Sequence, residues 1–255
     1  MPRFLNGAVF WVSERGLTVL AIAVAVVVAG YGAYFYVDQY RPFGPGDSTL
    51  SSLRGAVEKR PADVMGRIRL ATGYIDAGMY DAAEAEFLEL LKADAGFSTA
   101  VTGLGLVYFK QGKYPQALEQ FDEIIRAQEG TKYAELSADL NNAYYYTGVI
   151  FMKTGRLNES EQRLRGAILT NPADGEARMY LGWVMCQLGR CQEGLSETNF
   201  AVLFDPENPE PHYYQGLVLE KMGQKADAAT ELSLALKYRS DFAEASEALR
   251  RVKGG

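Results

Sequence analysis

A repeat with a period of about 34 residues constrains the fold of this chain more than any other feature of its sequence. The repeat is marked by a glycine that opens a polar, alanine- or serine-containing segment, at Gly78, Gly112, Gly155, Gly189 and Gly223. Neighbouring glycines are one such period apart, except that the step from Gly112 to Gly155 is longer. A period of this length predicts stacked helix–turn–helix units.

Small and large residues recur at fixed places in each unit. Small residues are expected where two antiparallel helices cross closely, and large ones between units. The small residues are Ala71, Gly105, Gly148, Gly182 and Gly216 on first helices, and Ala83, Ala117, Ser160, Gly194 and Ala228 on second helices. The large residues are Leu70, Leu104, Leu181, Phe87, Phe121, Leu164 and Leu232. This pattern predicts an all-α fold.

Two segments carry a family resemblance most clearly, LGLVY from Leu104 to Tyr108 and YPQALEQF from Tyr114 to Phe121. They resemble the tetratricopeptide repeat, whose units read W-x2-L-G-x2-Y, then A-x3-F, then P. The resemblance implies a right-handed superhelical solenoid of antiparallel helix pairs. Five units are expected within residues 64–242, at 64–97, 98–131, 141–174, 175–208 and 209–242.

Segments beside and within the repeats deviate from this plan. Residues 47–60 are predicted to form an N-terminal capping half-repeat, and residues 242–252 a C-terminal capping helix. The inserted residues 132–140 are expected to lengthen the first helix of the third unit by two turns or more. The second helix of the fourth unit contains Gly194, and a glycine inside a helix costs about 1 kcal/mol relative to alanine, so we expect this helix to be the loosest in the stack.

The N-terminal part of the chain contains a long apolar segment. Residues 16–37 carry no charge and would form a helix about 33 Å long, enough to cross a bilayer. A cleaved signal peptide is the alternative, but its apolar stretch would be shorter and would end in small residues, whereas this one ends in aromatic residues. We therefore predict a leader at 1–15, one transmembrane helix at 16–37 and a linker at 38–46.

The charges around this segment favour one orientation. Arg3 and Arg15 precede it and Arg41 follows it. Since positive residues stay on the cytoplasmic side, the N-terminus is expected in the cytoplasm and the repeats outside it, in the periplasm of a bacterium.

The repeat resemblance also implies where a partner would bind, because first helices line the concave side of such stacks. Side chains at inward positions are predicted to form a partner-binding groove. They are Phe109, Tyr145, Val149, Met152, Met179, Trp183, Tyr213 and Leu217. The alternative for each is ordinary packing between helices.

Little in the sequence favours catalysis. The chain has two cysteines and one histidine. Cys186 and Cys191 are either a disulfide or two free thiols, and without a nearby histidine they make a poor zinc site. His212 has no accompanying catalytic arrangement and occupies a position that is usually filled by a packing residue. We predict a protein that is not an enzyme and has no catalytic residues, no metal, no cofactor and no small-molecule substrate.

The net charge of −6 and the absence of a basic face disfavour a nucleic-acid partner. The sequence favours a membrane-anchored scaffold or assembly factor that binds membrane or envelope proteins. A stable accessory subunit of an integral membrane complex, held through the transmembrane helix, is the alternative.

Overall fold

The computed structural model describes residues 47–132, 134 and 137–254, over which the chain forms twelve α-helices and no strand. The helices are α1 (Asp47–Lys59), α2 (Val64–Asp76), α3 (Tyr80–Ala93), α4 (Ser98–Lys110), α5 (Tyr114–Gln128), α6 (Ala138–Lys153), α7 (Leu157–Thr170), α8 (Gly175–Gln187), α9 (Cys191–Phe204), α10 (Pro209–Lys221), α11 (Lys225–Tyr238) and α12 (Ala243–Gly254).

The helices from α2 to α11 form five antiparallel pairs, which confirms the predicted stack of helix–turn–helix units. In the pair α6/α7, Tyr144 lies against Gly166, and Gly148 lies against Leu164 further back along α7. The two helices therefore run in opposite directions. Helix α1 precedes the five pairs and α12 follows them.

The residues predicted to pack at the crossings are buried. Ala71, Ala83, Ala117, Ser160 and Ala228 are fully inaccessible to solvent. The larger residues predicted between the units are buried as well: Leu70, Leu104, Leu181, Phe87, Phe121, Leu164 and Leu232. The repeat pattern therefore predicted the core correctly.

Each pair is joined by a tight turn that contains a glycine. Gly78 has a φ of 72°, in the left-handed region that only glycine adopts at no cost. The N–H of Met79 bonds to the carbonyl of Tyr74, and the N–H of Ala77 to that of Gly73, so the last carbonyls of α2 are satisfied. Gly112, Gly155, Gly189 and Gly223 also have positive φ.

A basic side chain recurs at the start of three first helices. Arg178 donates to the carbonyl oxygen of Pro172 at 3.0 Å and to Glu197 at 2.8 Å. Arg67 contacts Pro61 and Glu86 in the same way. In the fifth unit the corresponding residue is His212. The basic side chain thus connects the turn before a unit to the second helix of that unit.

The pair α8/α9 corrects one prediction. A Cβ atom added at Gly194 would lie 2.3 Å from the carbonyl oxygen of Gly182, and one added at Gly182 would lie 2.5 Å from the carbonyl oxygen of Gly194. The two backbones approach so closely that neither position has room for a side chain. Gly194 therefore permits close packing, and the prediction that it marks the loosest helix is wrong.

The inserted segment between the second and third units also differs from the prediction. Helix α6 begins at Ala138, where the Ser137 side chain accepts a hydrogen bond from the N–H of Leu140. The helix is 16 residues long against 13 for α4. The first helix of the third unit is therefore longer by less than one turn, because the N-cap at Ser137 fixes the residue at which it begins.

The predicted leader, transmembrane helix and linker at residues 1–46 lie outside the described residues. Among the helices that the structure describes, none combines the length and the apolar character needed to cross a membrane.

Candidate functional site

The first helices of successive units lie next to one another. Besides packing on its own second helix, α4 contacts α6, α6 contacts α8, and α8 contacts α10. This arrangement leaves one continuous surface of first-helix side chains, which we call the first-helix face. Many of its side chains are aromatic.

Seven aromatic rings cross the first-helix face as a connected row. We call them the aromatic row: Phe109, Tyr146, Tyr145, Tyr180, Tyr214, Tyr213 and Phe242. Ring centroids of neighbours are between 4.9 and 6.0 Å apart, from Phe109 on α4 to Phe242 before α12. Tilted and edge-to-face pairs at such distances attract each other. The row therefore links four consecutive units.

The row is partly exposed. Phe242, at its end, is 9% exposed, and the other six rings are half-buried. Rings that contact each other on one side and solvent on the other are typical of protein interfaces, whose cores are enriched in tyrosine, tryptophan and phenylalanine.

Three tyrosines of the row stand at one repeat position. Tyr146, Tyr180 and Tyr214 follow one another at steps of one repeat period. They are absent from the predicted groove residues, although identical residues at the repeat spacing are a signal that identifies them.

The tyrosines of the row stay protonated. Tyr145 donates a hydrogen bond of 2.6 Å to Oε2 of Glu176. Burial first, and then the negative charge of Glu176, raises the pKa of Tyr146 to about 12 and that of Tyr145 well above its usual range. Burial and the neighbouring Tyr180 likewise raise the pKa of Tyr214. A neutral phenol group presents an apolar ring together with a hydroxyl oxygen that can accept a hydrogen bond.

Trp183 lies beside the row on α8. Its ring centroid is 6.3 Å from that of Tyr214, and Nζ of Lys221 lies 6.0 Å from the indole. The same Nζ donates to Oε1 of Gln187 at 2.8 Å. Trp183 is half-buried and thus accessible from the first-helix face.

The structure places six of the eight predicted groove residues on this face. Phe109, Tyr145 and Tyr213 belong to the aromatic row and Trp183 adjoins it. Met152 and Leu217 are half-buried on α6 and α10. Whether these six bind a partner stays a prediction.

For two residues the prediction of an open position is wrong. Val149 and Met179 are each only 2% exposed, so they pack inside the stack. In α8 the aromatic residue of the row is Tyr180, one position after Met179, and a shift of one residue turns a helical side chain by about 100°.

A disulfide joins Cys186 and Cys191 across the turn between α8 and α9. Cys186 is fully buried, and Gly189 supplies the left-handed residue of the enclosed turn. The bridge closes the hairpin whose helices meet at Gly182 and Gly194.

Both ring nitrogens of His212 contact hydrogen-bond acceptors within the fold. Nδ1 lies 2.7 Å from Oε2 of Glu231, and Nε2 lies 2.9 Å from the carbonyl oxygen of Pro206. Both ring nitrogens face acceptors, so the imidazolium form satisfies both bonds. The hydrogen bond to Glu231, opposed by burial, raises the pKa of His212.

No group of three or more histidine, cysteine or carboxylate residues that could hold a metal ion occurs in the part of the chain that the structure describes.

Residues 68–130 match a protein-family model, described as a tetratricopeptide repeat. The match covers the second unit and most of the first. It supports the resemblance seen in the sequence. No significant match occurs among curated proteins.

Solved structures of tetratricopeptide proteins share the fold. A protein from Parabacteroides merdae is 17% identical, with a TM-score of 0.61 over 81% of this chain and 77% of its own. TTC0263 from Thermus thermophilus is 19% identical, with a TM-score of 0.57 over 75% of this chain and 100% of its own. YrrB, described as having an unusual peptide-binding site, is 23% identical, with a TM-score of 0.54 over 78% of this chain and 98% of its own. At these identities the likeness shows the fold alone.

Proposed function

We propose that this protein is a scaffold that binds a segment of a partner protein on its first-helix face. The aromatic row supports this proposal most directly. Six of its seven rings are partly exposed, and the row forms one connected surface across four units. An isolated packing role for each ring would not require this continuity.

We further propose that residues 16–37 anchor the scaffold in a membrane and that the repeats lie on the extracytoplasmic side. The uncharged apolar sequence of this segment supports the anchor. The disulfide between Cys186 and Cys191 supports the orientation, because disulfides persist in oxidising compartments. The protein would then serve as an assembly factor for membrane or envelope proteins.

Purification of the tagged full-length protein from its native membrane in mild detergent tests the proposal. A Tyr145→Ala, Trp183→Ala variant removes two large side chains from the first-helix face, and Leu203→Ala removes an exposed one from α9. We expect a stoichiometric partner with the wild type and the Leu203→Ala control, and its loss from the double variant.

Retention of the partner by the double variant would contradict binding on the first-helix face. It would favour a stable accessory subunit that is held in a complex through the transmembrane helix.

A further inference from the structure

Three glutamates recur at one place in the last two units and in the helix that follows them. Glu176, Glu210 and Glu244 are the second residues of α8, α10 and α12, and each is one repeat period from the next. Glu176 and Glu244 are exposed, and Glu210 is half-buried. They form an acidic edge where these helices begin.

This acidic edge adjoins the aromatic row. Glu176 accepts the hydrogen bond from Tyr145 at 2.6 Å. After burial, the charge of Glu176 is the next largest cause that raises the pKa of Tyr180, and the charge of Glu244 is the next largest for the pKa of Tyr213. Carboxylates therefore lie close to tyrosines of the aromatic row in three successive units.

The three glutamates differ in their ion pairs. Glu210 pairs with Arg239 at 2.5 Å. Arg239 also lies 3.7 Å from the centroid of the Phe242 ring and so covers the end of the aromatic row. Among the described residues, no lysine or arginine forms an ion pair with Glu176 or with Glu244. The aromatic row thus lies beside two carboxylates, Glu176 and Glu244, that have no ion-pair partner in the part of the chain that the structure describes.

Three lysines of first helices lie at the opposite edge. Lys110, Lys153 and Lys221 are the last residues of α4, α6 and α10, and all three are exposed. The second and last residues of a helix such as α10 are about 16 Å apart, because a helix rises 1.5 Å per residue. A cationic partner group is repelled by these lysines and attracted to Glu176 and Glu244, at the beginning of α8 and α12.

We propose that the partner is a basic protein segment, whose arginine or lysine side chains lie over the tyrosines of the aromatic row beside Glu176 and Glu244. This inference rests on the proposed function and names the chemistry of the bound segment. A cation over a tyrosine face and a charge-assisted bond to a carboxylate act together in such a contact. The apolar residues of the segment would contact the remaining ring surface.

Three fluorescent peptides that share the same leucine and alanine positions test the inference. Their remaining positions are arginine in the first, glutamine in the second and glutamate in the third. Binding to the full-length protein in a neutral detergent is followed by fluorescence anisotropy at low and at high salt. We expect the arginine peptide to bind about tenfold more tightly than the glutamine peptide at low salt, with a smaller difference at high salt.

A Glu176→Gln, Glu244→Gln variant leaves the Glu210–Arg239 pair intact and is expected to remove this preference. A Glu123→Gln, Glu207→Gln variant changes the net charge equally at exposed positions outside the first helices and is expected to keep it. Circular dichroism checks that both variants are folded.

Equal binding of the three peptides would overturn the charge preference but would leave the proposed protein-binding function intact. Preference for the glutamate peptide, failure of all three to bind, or an unchanged preference in the Glu176→Gln, Glu244→Gln variant would also overturn the inference. The purification from the native membrane tests the proposed function separately, so its outcome does not depend on the peptide measurements.

Discussion

At the scale of single residues, His212 makes stability depend on pH. Its folded pKa is raised above the ordinary value of 6.5, so its stabilising contribution is complete below about 6.5 and is lost as pH rises through the folded pKa. Deprotonation leaves one of the two ring nitrogens facing an acceptor without a proton. We expect a loss on the order of 1 kcal/mol, measured as a lower thermal midpoint at pH 9 than at pH 6.

A His212→Arg variant is the matched control, because Arg178 occupies the same repeat position and makes the same two contacts. Its midpoint should depend less on pH than that of the wild type. An equal pH dependence in both proteins would show that another group titrates.

The sequence contains one signal for the role of His212. Arg178 stands one repeat period before it. The role of this position still could not be predicted from spacing, since the partners, a proline carbonyl and a glutamate on the second helix, meet only when the pair is folded.

At the scale of helices, the crossing of α8 and α9 is sensitive to added volume. A methyl group at Gly194 would collide with the backbone of Gly182. Gly194→Ala is expected to destabilise the protein by about 1–3 kcal/mol despite its better helix propensity, as measured by chemical denaturation.

Gly55→Ala in α1 serves as the comparison. A Cβ atom there meets nothing within 4 Å, so helix propensity alone should decide the result. We expect a gain of about 0.5–1 kcal/mol. A neutral or stabilising Gly194→Ala would refute the close approach of the two backbones.

The disulfide should stabilise the same hairpin. Closing so short a loop restricts the unfolded chain and contributes roughly 2 kcal/mol. A reducing agent is expected to lower the thermal midpoint of the wild type and to leave that of a Cys186→Ala, Cys191→Ala variant unchanged. Equal responses of the two proteins would contradict a stabilising bridge.

Helix positions were the best predicted feature of this protein, because glycine turns and small crossing residues repeat with the units. The faces of the helices were harder to predict. Met179 was chosen where Tyr180 belongs to the aromatic row, since the sequence pattern does not fix the rotation of a helix when apolar residues flank the position on both sides.

At the scale of the whole molecule, the repeats supply a surface while the proposed anchor would fix where that surface lies. The oxidation state of Cys186 and Cys191 in cells therefore tests the proposed location of the repeats. In cells, Cys186 and Cys191 should resist alkylation until a reductant is added, because an oxidising compartment keeps the bridge closed. Immediate alkylation of both thiols in freshly trapped cells would contradict the proposed extracytoplasmic location.

The binding role of the first-helix face is tested most directly by photo-crosslinking in living cells. A benzophenone amino acid replaces Tyr145 in one variant and Glu123, an exposed residue of α5, in another. We expect one discrete crosslinked protein from position 145 and none from position 123. Equal crosslinking from the two positions, or none from position 145 in a folded protein, would contradict partner binding on the first-helix face.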